Sequence, residues 1–128
     1  MRTILLIEDN VEICENIVEV LELGGYKVIS ALNGKIGFEY ARRRKPDLIV
    51  CDILMPEFDG YEVMTAVKRD PKTNGIPLVF MTAQSEKICL EKAMTLGATA
   101  YLVKPLDPVL LLQVVKDELN KVALRAVA

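Results

Sequence analysis

Residues 47–52 have the sequence Asp-Leu-Ile-Val-Cys-Asp, in which four apolar residues stand between two carboxylates. A continuous apolar run of this length is typical of a strand that is buried on both faces of a parallel sheet. In open parallel sheets, ligands bind at the carboxyl ends of the strands. The run therefore predicts a buried strand and, at its end, a candidate functional residue in Asp52.

Short apolar runs and longer helical stretches alternate in both directions from that strand. Glycines at 24, 25 and 97 are placed to end helices, and Asp107-Pro108 supplies an N-cap followed by a proline at the first helical position. Five strand–helix units imply an α/β fold with a doubly wound parallel sheet. The predicted strands are 3–7, 26–30, 47–52, 76–81 and 99–103, and the predicted helices are 11–23, 35–44, 61–69, 85–96 and one from Pro108 onward.

The composition is that of one globular domain. The chain has 128 residues, 52% of them hydrophobic and 27% charged, and a net charge of −2, which favours neither nucleic acid nor an anionic membrane. The basic run 42–45 closes a predicted helix, where cations complement the macrodipole. No signal peptide or membrane helix is predicted. Three widely spaced cysteines without histidine indicate buried thiols in a reducing compartment, so we expect a cytoplasmic location.

Functional groups of complementary type follow four of the predicted strands: Glu8-Asp9, Asp52, Thr82-Ala83 and Lys104-Pro105. Three carboxylates at one edge repel, and a hard divalent cation with oxygen ligands removes that repulsion. Mg²⁺, which works with phosphates, fits better than Ca²⁺. A lysine and a hydroxyl suit phosphoryl oxygens, and one carboxylate can be the nucleophile. Each residue alone could be only a cap, a turn residue or a solvated side chain; their joint occurrence predicts the site.

These residues make the chain resemble the receiver domain of two-component response regulators, from about Thr3 to the last helix. The motifs that carry the resemblance are Glu8-Asp9, the segment 48–56 (LIVCDILMP) with Asp59-Gly60, the segment 79–83 (VFMTA), Tyr101 and Lys104-Pro105. The resemblance implies a flavodoxin-like (βα)₅ fold with strand order 2-1-3-4-5. It also implies a single receiver domain over residues 1–128.

The resemblance implies a phosphoacceptor rather than an enzyme in the usual sense. Asp52 would take a phosphoryl group from a histidine kinase or phosphotransfer protein, or from a small donor. The protein would assist its own phosphorylation and its own slow dephosphorylation. Mg²⁺, with Mn²⁺ as a substitute, would be held by Glu8, Asp9, Asp52 and the backbone carbonyl of Leu54.

Further residues receive roles from the same resemblance. Ala83 and Lys104 would bind the phosphoryl group, and the bond before Pro105 would be the family's cis peptide. Thr82 and Tyr101 would form a two-state switch that alters the predicted fourth helix, fifth strand and fifth helix. That surface would meet an unknown downstream effector or form a homodimer.

Two positions bear on the lifetime of the phosphoryl group. Leu54 and Gln84 flank the route of the hydrolytic water in this family. Leucine has no group that could orient a water, whereas glutamine has one, so we expect self-dephosphorylation slower than in a relative with a polar residue at position 54.

Other interpretations remain open at this stage. A three-four apolar spacing runs through the last helix, which predicts that its first half joins the core and that 122–128 is a helix extension or a linker. The chain could be a receiver module excised from a larger regulator or signalling enzyme. A phosphatase of the haloacid-dehalogenase type would need an acid where Leu54 stands. A flavin-binding flavodoxin would not place Glu8-Asp9 after its first strand, and an inert receiver would have lost an acid, the acceptor or the lysine.

Overall fold

Five strands and five helices alternate along the chain. The computed structural model describes residues 1–83 and 87–127, with side chains outside 87–90 and 122–127. The elements are β1 Thr3–Ile7, α1 Val11–Leu23, β2 Lys27–Ala31, α2 Gly34–Arg44, β3 Leu48–Asp52, α3 Gly60–Arg69, β4 Leu78–Thr82, α4 Lys87–Thr95, β5 Ala100–Val103 and α5 Pro108–Val127. The strands form one parallel sheet in the order β2-β1-β3-β4-β5. The predicted α/β fold and strand order are confirmed.

The element boundaries differ from the predicted ones where the backbone closes a turn. The Tyr26 N–H donates to the Leu21 carbonyl at 3.2 Å and completes the end of α1, so β2 begins one residue later than predicted. The Ile76 N–H donates to the Thr73 carbonyl at 3.0 Å, and β4 begins only at Leu78. A backbone N–H that already closes a turn cannot join the sheet ladder.

The central strands β1, β3 and β4 are buried on both faces, as their apolar runs predicted, whereas the edge strands β2 and β5 are partly exposed. Side chains alternate along each strand, so successive residues pack against opposite helical layers. One layer includes α2 and α3 and contacts Leu5, Ile7, Ile49, Cys51 and Phe80. The other includes α1 and α5 and contacts Ile4, Leu6, Leu48, Val50, Val79 and Met81. This packing fixes the strand ends relative to one another.

The basic end of α2 forms ion pairs within the chain. The Arg42 guanidinium contacts Asp70 at 2.8 Å and Glu39 at 3.6 Å, and the Arg43 guanidinium contacts Glu39 at 3.7 Å. These contacts support the interpretation of the basic run as a helix end rather than a nucleic-acid patch.

Helix α5 contributes its first three turns to the core. Asp107 accepts a hydrogen bond from the Val109 N–H at 2.9 Å, and Leu111, Val115 and Leu119 are buried. The helix extends to Val127, but the side chains of 122–127 lie outside the described part, so the choice between extension and linker stays a prediction. Among the helices of the described residues, none is long and apolar enough to cross a membrane.

Candidate functional site

Three carboxylates meet at the carboxyl edge of the sheet. Strands β1 and β3 are neighbours with Ile7 in register with Cys51, so the residues that follow them emerge side by side. Oxygen atoms of Glu8, Asp9 and Asp52 lie within 4.8 Å of one another. Glu8 and Asp52 are buried, whereas Asp9 is exposed to solvent on one side. The predicted acidic pocket therefore exists as a cluster of three ligand-bearing side chains.

Lys104 reaches into this cluster from the end of β5. Its ammonium forms an ion pair with Glu8 and lies 3.3 Å from Asp52 Oδ2. Its backbone N–H donates to the Thr82 carbonyl at 2.8 Å, which aligns the ends of β4 and β5. The Lys104–Pro105 peptide bond is cis. One lysine thus contacts two of the three carboxylates.

Electrostatics in the cluster are dominated by burial and by like charge. Burial and the negative charge of Glu8 raise the pKa of Asp52 from 3.8 to about 6, against the opposing effect of Lys104. Burial acts to raise the pKa of Glu8 as well, but the hydrogen bond and charge of Lys104 outweigh it and hold that pKa below its ordinary value. Burial would lower the pKa of Lys104, yet Glu8 and Asp52 raise it. Burial and Glu8 raise the pKa of Asp9.

This donor set suits a small divalent cation. Carboxylates crowded enough to resist ionisation gain most when a cation compensates their charge. All three offer oxygen, which is the ligand atom that Mg²⁺ prefers. The residues present therefore fit Mg²⁺.

The Asp52 charge is expected to destabilise the protein when no divalent cation is present. Its pKa is about 6 in the fold and 3.8 ordinarily, so the unfolded chain ionises first. Stability should therefore fall as pH rises from about 4 to about 6 and stay low above, by on the order of 2–3 kcal/mol. Thermal unfolding with chelator should show this fall for the wild type and not for Asp52→Asn. Parallel profiles for the two proteins would contradict the argument.

The remaining predicted site residues lie around the cluster. Thr82 ends β4, next to Asp52, and is 1% exposed. Ala83 follows it at the surface. Tyr101 is 37% exposed on the edge strand β5. Leu54 is 54% exposed beyond β3, and Gln84 lies outside the described residues.

Two contacts at the site could not be read from the motifs. The Asn10 N–H donates to Glu8 Oε2 at 3.1 Å, while its side chain caps α1 by accepting from the Ile13 N–H at 3.0 Å. Gly60 packs against the backbone after Asp52, where an added Cβ would lie 2.7 Å from Ile53 Cα. For the contact between Asn10 and Glu8, the only signal in the sequence was an Asn before a helix. Such an Asn indicates a helix cap and not a contact with Glu8.

Comparison with known proteins gives one consistent result. The family model for the response regulator receiver domain matches residues 4–116. A probable transcriptional regulator, ycf29, of Porphyra purpurea is 36% identical over 114 residues, which are 89% of this chain and 54% of that protein. Protein PilH of Pseudomonas aeruginosa is 31% identical over 115 residues, which are 90% of this chain and 95% of PilH. The chain thus spans about half of the first relative and nearly all of the second.

A solved structure adds a metal to the comparison. The receiver domain of sensor histidine kinase PA1611 from Pseudomonas aeruginosa aligns with a TM-score of 0.86 and 26% identity, over 93% of this chain and 98% of that chain. That structure has a magnesium ion coordinated in its active site cleft. In this chain, Glu8, Asp9 and Asp52 form a cluster of carboxylates that could hold a metal ion.

Proposed function

Because this chain belongs to the response regulator receiver domain family, we propose that Asp52 is the residue that accepts its phosphoryl group. The protein is a phosphoacceptor switch of two-component signalling. The observation that supports Asp52 is its position in the acidic cluster, with the Lys104 ammonium 3.3 Å from Oδ2. Receiver domains bind Mg²⁺ at an acidic pocket. Here Glu8, Asp9, Asp52 and the Leu54 carbonyl would hold it, with Mn²⁺ as a substitute.

The chemistry is a displacement at phosphorus. An ionised Asp52 oxygen attacks, the bond from phosphorus to the donor breaks, and the donor leaves with the bonding electron pair. The Lys104 ammonium and the backbone at Ala83 stabilise charge on the transferred oxygens. Mg²⁺ held by the carboxylates would supply further positive charge to this reaction. The acyl phosphate formed is later hydrolysed slowly by water, which makes the protein its own weak phosphatase.

Phosphorylation of the wild-type protein is the direct test of the proposed function. Incubated with acetyl phosphate and Mg²⁺, it should gain the mass of one phosphoryl group, and hydroxylamine should remove the group because it is an acyl phosphate. Chelation of the divalent cation should suppress the gain, since the three carboxylates would again repel. A wild type that gains no phosphoryl group from acetyl phosphate or a histidine kinase would overturn the proposal.

The output surface is proposed to comprise α4, β5 and α5. Thr82 is buried one residue beyond the register partner of Asp52, and Tyr101 is partly exposed on the neighbouring strand β5; we expect a Thr82 movement to be accompanied by inward rotation of the Tyr101 ring. Val103, Val109 and Leu110 on the same surface are exposed large apolar residues. Such residues suit contact with a downstream effector or a second copy. Sedimentation at several concentrations should show dimers only when the protein is phosphorylated; a monomer throughout would exclude the homodimer.

A long phosphoryl lifetime is expected from Leu54. Its side chain, two residues after Asp52, is exposed and has no group that could hold a water. Replacement by asparagine, which can orient one, should accelerate loss of the phosphoryl group several-fold, measured as decay of the modified mass after donor removal. Leu54→Ile is the matched control and should decay like the wild type. Equal decay of the Asn variant would exclude this role.

A second candidate concerns the whole protein. The chain spans 54% of the ycf29 relative, which is a probable transcriptional regulator, and 95% of PilH. We infer that the chain acts either as a single-domain signalling protein or as the receiver module of a larger regulator or signalling enzyme. Its histidine kinase or phosphotransfer protein and its effector are in either case outside the sequence in hand.

A further inference from the structure

Lys92 of α4 lies against Tyr61 of α3. The Lys92 ammonium is 4.2 Å from the centroid of the Tyr61 ring, within the range of a cation–π contact. The contact lies in a groove of about 530 Å³ that is lined also by Phe58, Thr65 and Leu96. A charge over the ring face attracts the two helices to each other. This cation–π contact therefore joins α4 to α3 in addition to the packing of the apolar core.

Tyr61 is connected, through the residue before it, to the backbone that follows Asp52. The preceding residue, Gly60, donates its N–H to the Ile53 carbonyl at 2.8 Å. The two segments touch so closely that a Cβ on Gly60 would lie 2.7 Å from Ile53 Cα. The Tyr61 carbonyl in turn accepts a hydrogen bond from the Thr65 hydroxyl at 3.0 Å, which joins the first turn of α3 to the second. A shift of the backbone after Asp52 is therefore transmitted to the Tyr61 position.

Tyr61 also contacts the strand that carries Thr82. Its ring packs edge-on against Phe80, with centroids 5.7 Å apart and planes at 74°. Phe80 stands two residues before Thr82 on β4 and is in register with Tyr101 on β5. One aromatic side chain thus joins the backbone after Asp52, the strand of the switch hydroxyl and the output helix.

We propose that the Lys92–Tyr61 contact is a latch that holds α4 against α3 in the unphosphorylated protein and opens when Asp52 is phosphorylated. The proposal rests on the proposed function, in which α4 forms part of the output surface. A contact made in only one of two states biases the equilibrium by its free energy in that state. Removing the latch should therefore favour the state that binds the phosphoryl group, and by reciprocity should strengthen binding of a phosphoryl mimic.

Beryllofluoride with Mg²⁺ is the probe. Lys92→Met keeps the length of the side chain and removes its charge, and Tyr61→Leu keeps an apolar residue and removes the ring. Each should bind beryllofluoride about 2- to 5-fold more tightly than the wild type, the factor that the free energy of an exposed cation–π contact allows. Because both residues act through one contact, the double variant should gain no more than either single one. Lys92→Arg keeps the cation and should stay near the wild type, as should Lys72→Met, which removes an exposed charge elsewhere.

The outcomes separate the latch from the function on which it rests. A wild type that binds no beryllofluoride overturns both. If the wild type binds it and Lys92→Met binds it equally or more weakly, the latch alone is overturned. Additive gains in the double variant would also overturn it. Lys92 is exposed, so its substitution leaves a folded protein even if Tyr61→Leu does not fold.

Discussion

Asp52→Asn is expected to accept no phosphoryl group under conditions in which the wild type is modified. Of the three clustered carboxylates, Asp52 is the one that ends a strand. It is buried, and its Oδ2 lies 3.3 Å from the Lys104 ammonium. An amide oxygen lacks the negative charge of the nucleophile, so the displacement at phosphorus has no attacking group. The measurement is intact mass after treatment with acetyl phosphate and Mg²⁺. The expected result is complete loss of the modified species.

Asp117→Asn is the matched control for this experiment. Asp117 is exposed on α5, accepts a hydrogen bond from Gln113 at 2.9 Å and does not belong to the acidic cluster. The Asp117→Asn substitution removes one carboxylate with the same change of charge as Asp52→Asn. This variant should be phosphorylated like the wild type. A modified mass in Asp52→Asn at the wild-type rate would assign the acceptor to another residue. Thermal unfolding of both variants shows that neither result reflects loss of the fold.

The fold was predictable because its signals are local. Each of β1, β3 and β4 is a short apolar run, and such runs separated by helix-length segments leave few topologies. The spacing also placed Asp52 and Lys104 at strand ends, which in a parallel sheet is enough to bring them to one edge. The parts that needed the structure are individual contacts, both between near neighbours in the chain and between distant segments. Neither the Asn10 N–H on Glu8 nor Lys92 over Tyr61 follows from any periodicity.

Residue roles are the other part that sequence reasoning leaves as prediction. Thr82 is buried at the end of β4, and Tyr101 is partly exposed on the edge strand β5. A switch, however, is a difference between two states. Pattern and register describe one state. The roles of these two residues therefore depend on the beryllofluoride and phosphorylation experiments.

Lys104→Met is expected to lower the free energy of unfolding by about 3–5 kcal/mol at neutral pH in the absence of a divalent cation. The lysine is the cation that compensates two buried carboxylates, Glu8 and Asp52, and methionine keeps its apolar stem without its charge. Without it Glu8 still accepts a hydrogen bond from the Asn10 N–H at 3.1 Å, but the negative charges of Glu8 and Asp52 face each other without a cation. Denaturant unfolding with chelator measures the loss.

Four comparisons show whether this loss comes from uncompensated charge. The cost should shrink as pH falls through the range in which Glu8 and Asp52 protonate, because neutral carboxyls need no cation. Glu8→Gln combined with Lys104→Met should recover much of the stability, since it removes one of the two charges. Lys116→Met, which changes an exposed lysine on α5, should cost little.

Added Mg²⁺ should stabilise Lys104→Met more than the wild type, because in the variant the metal is the first cation to reach these carboxylates. A variant as stable as the wild type at neutral pH would mean that the carboxylates are hydrated and that Lys104 does not hold the cluster together.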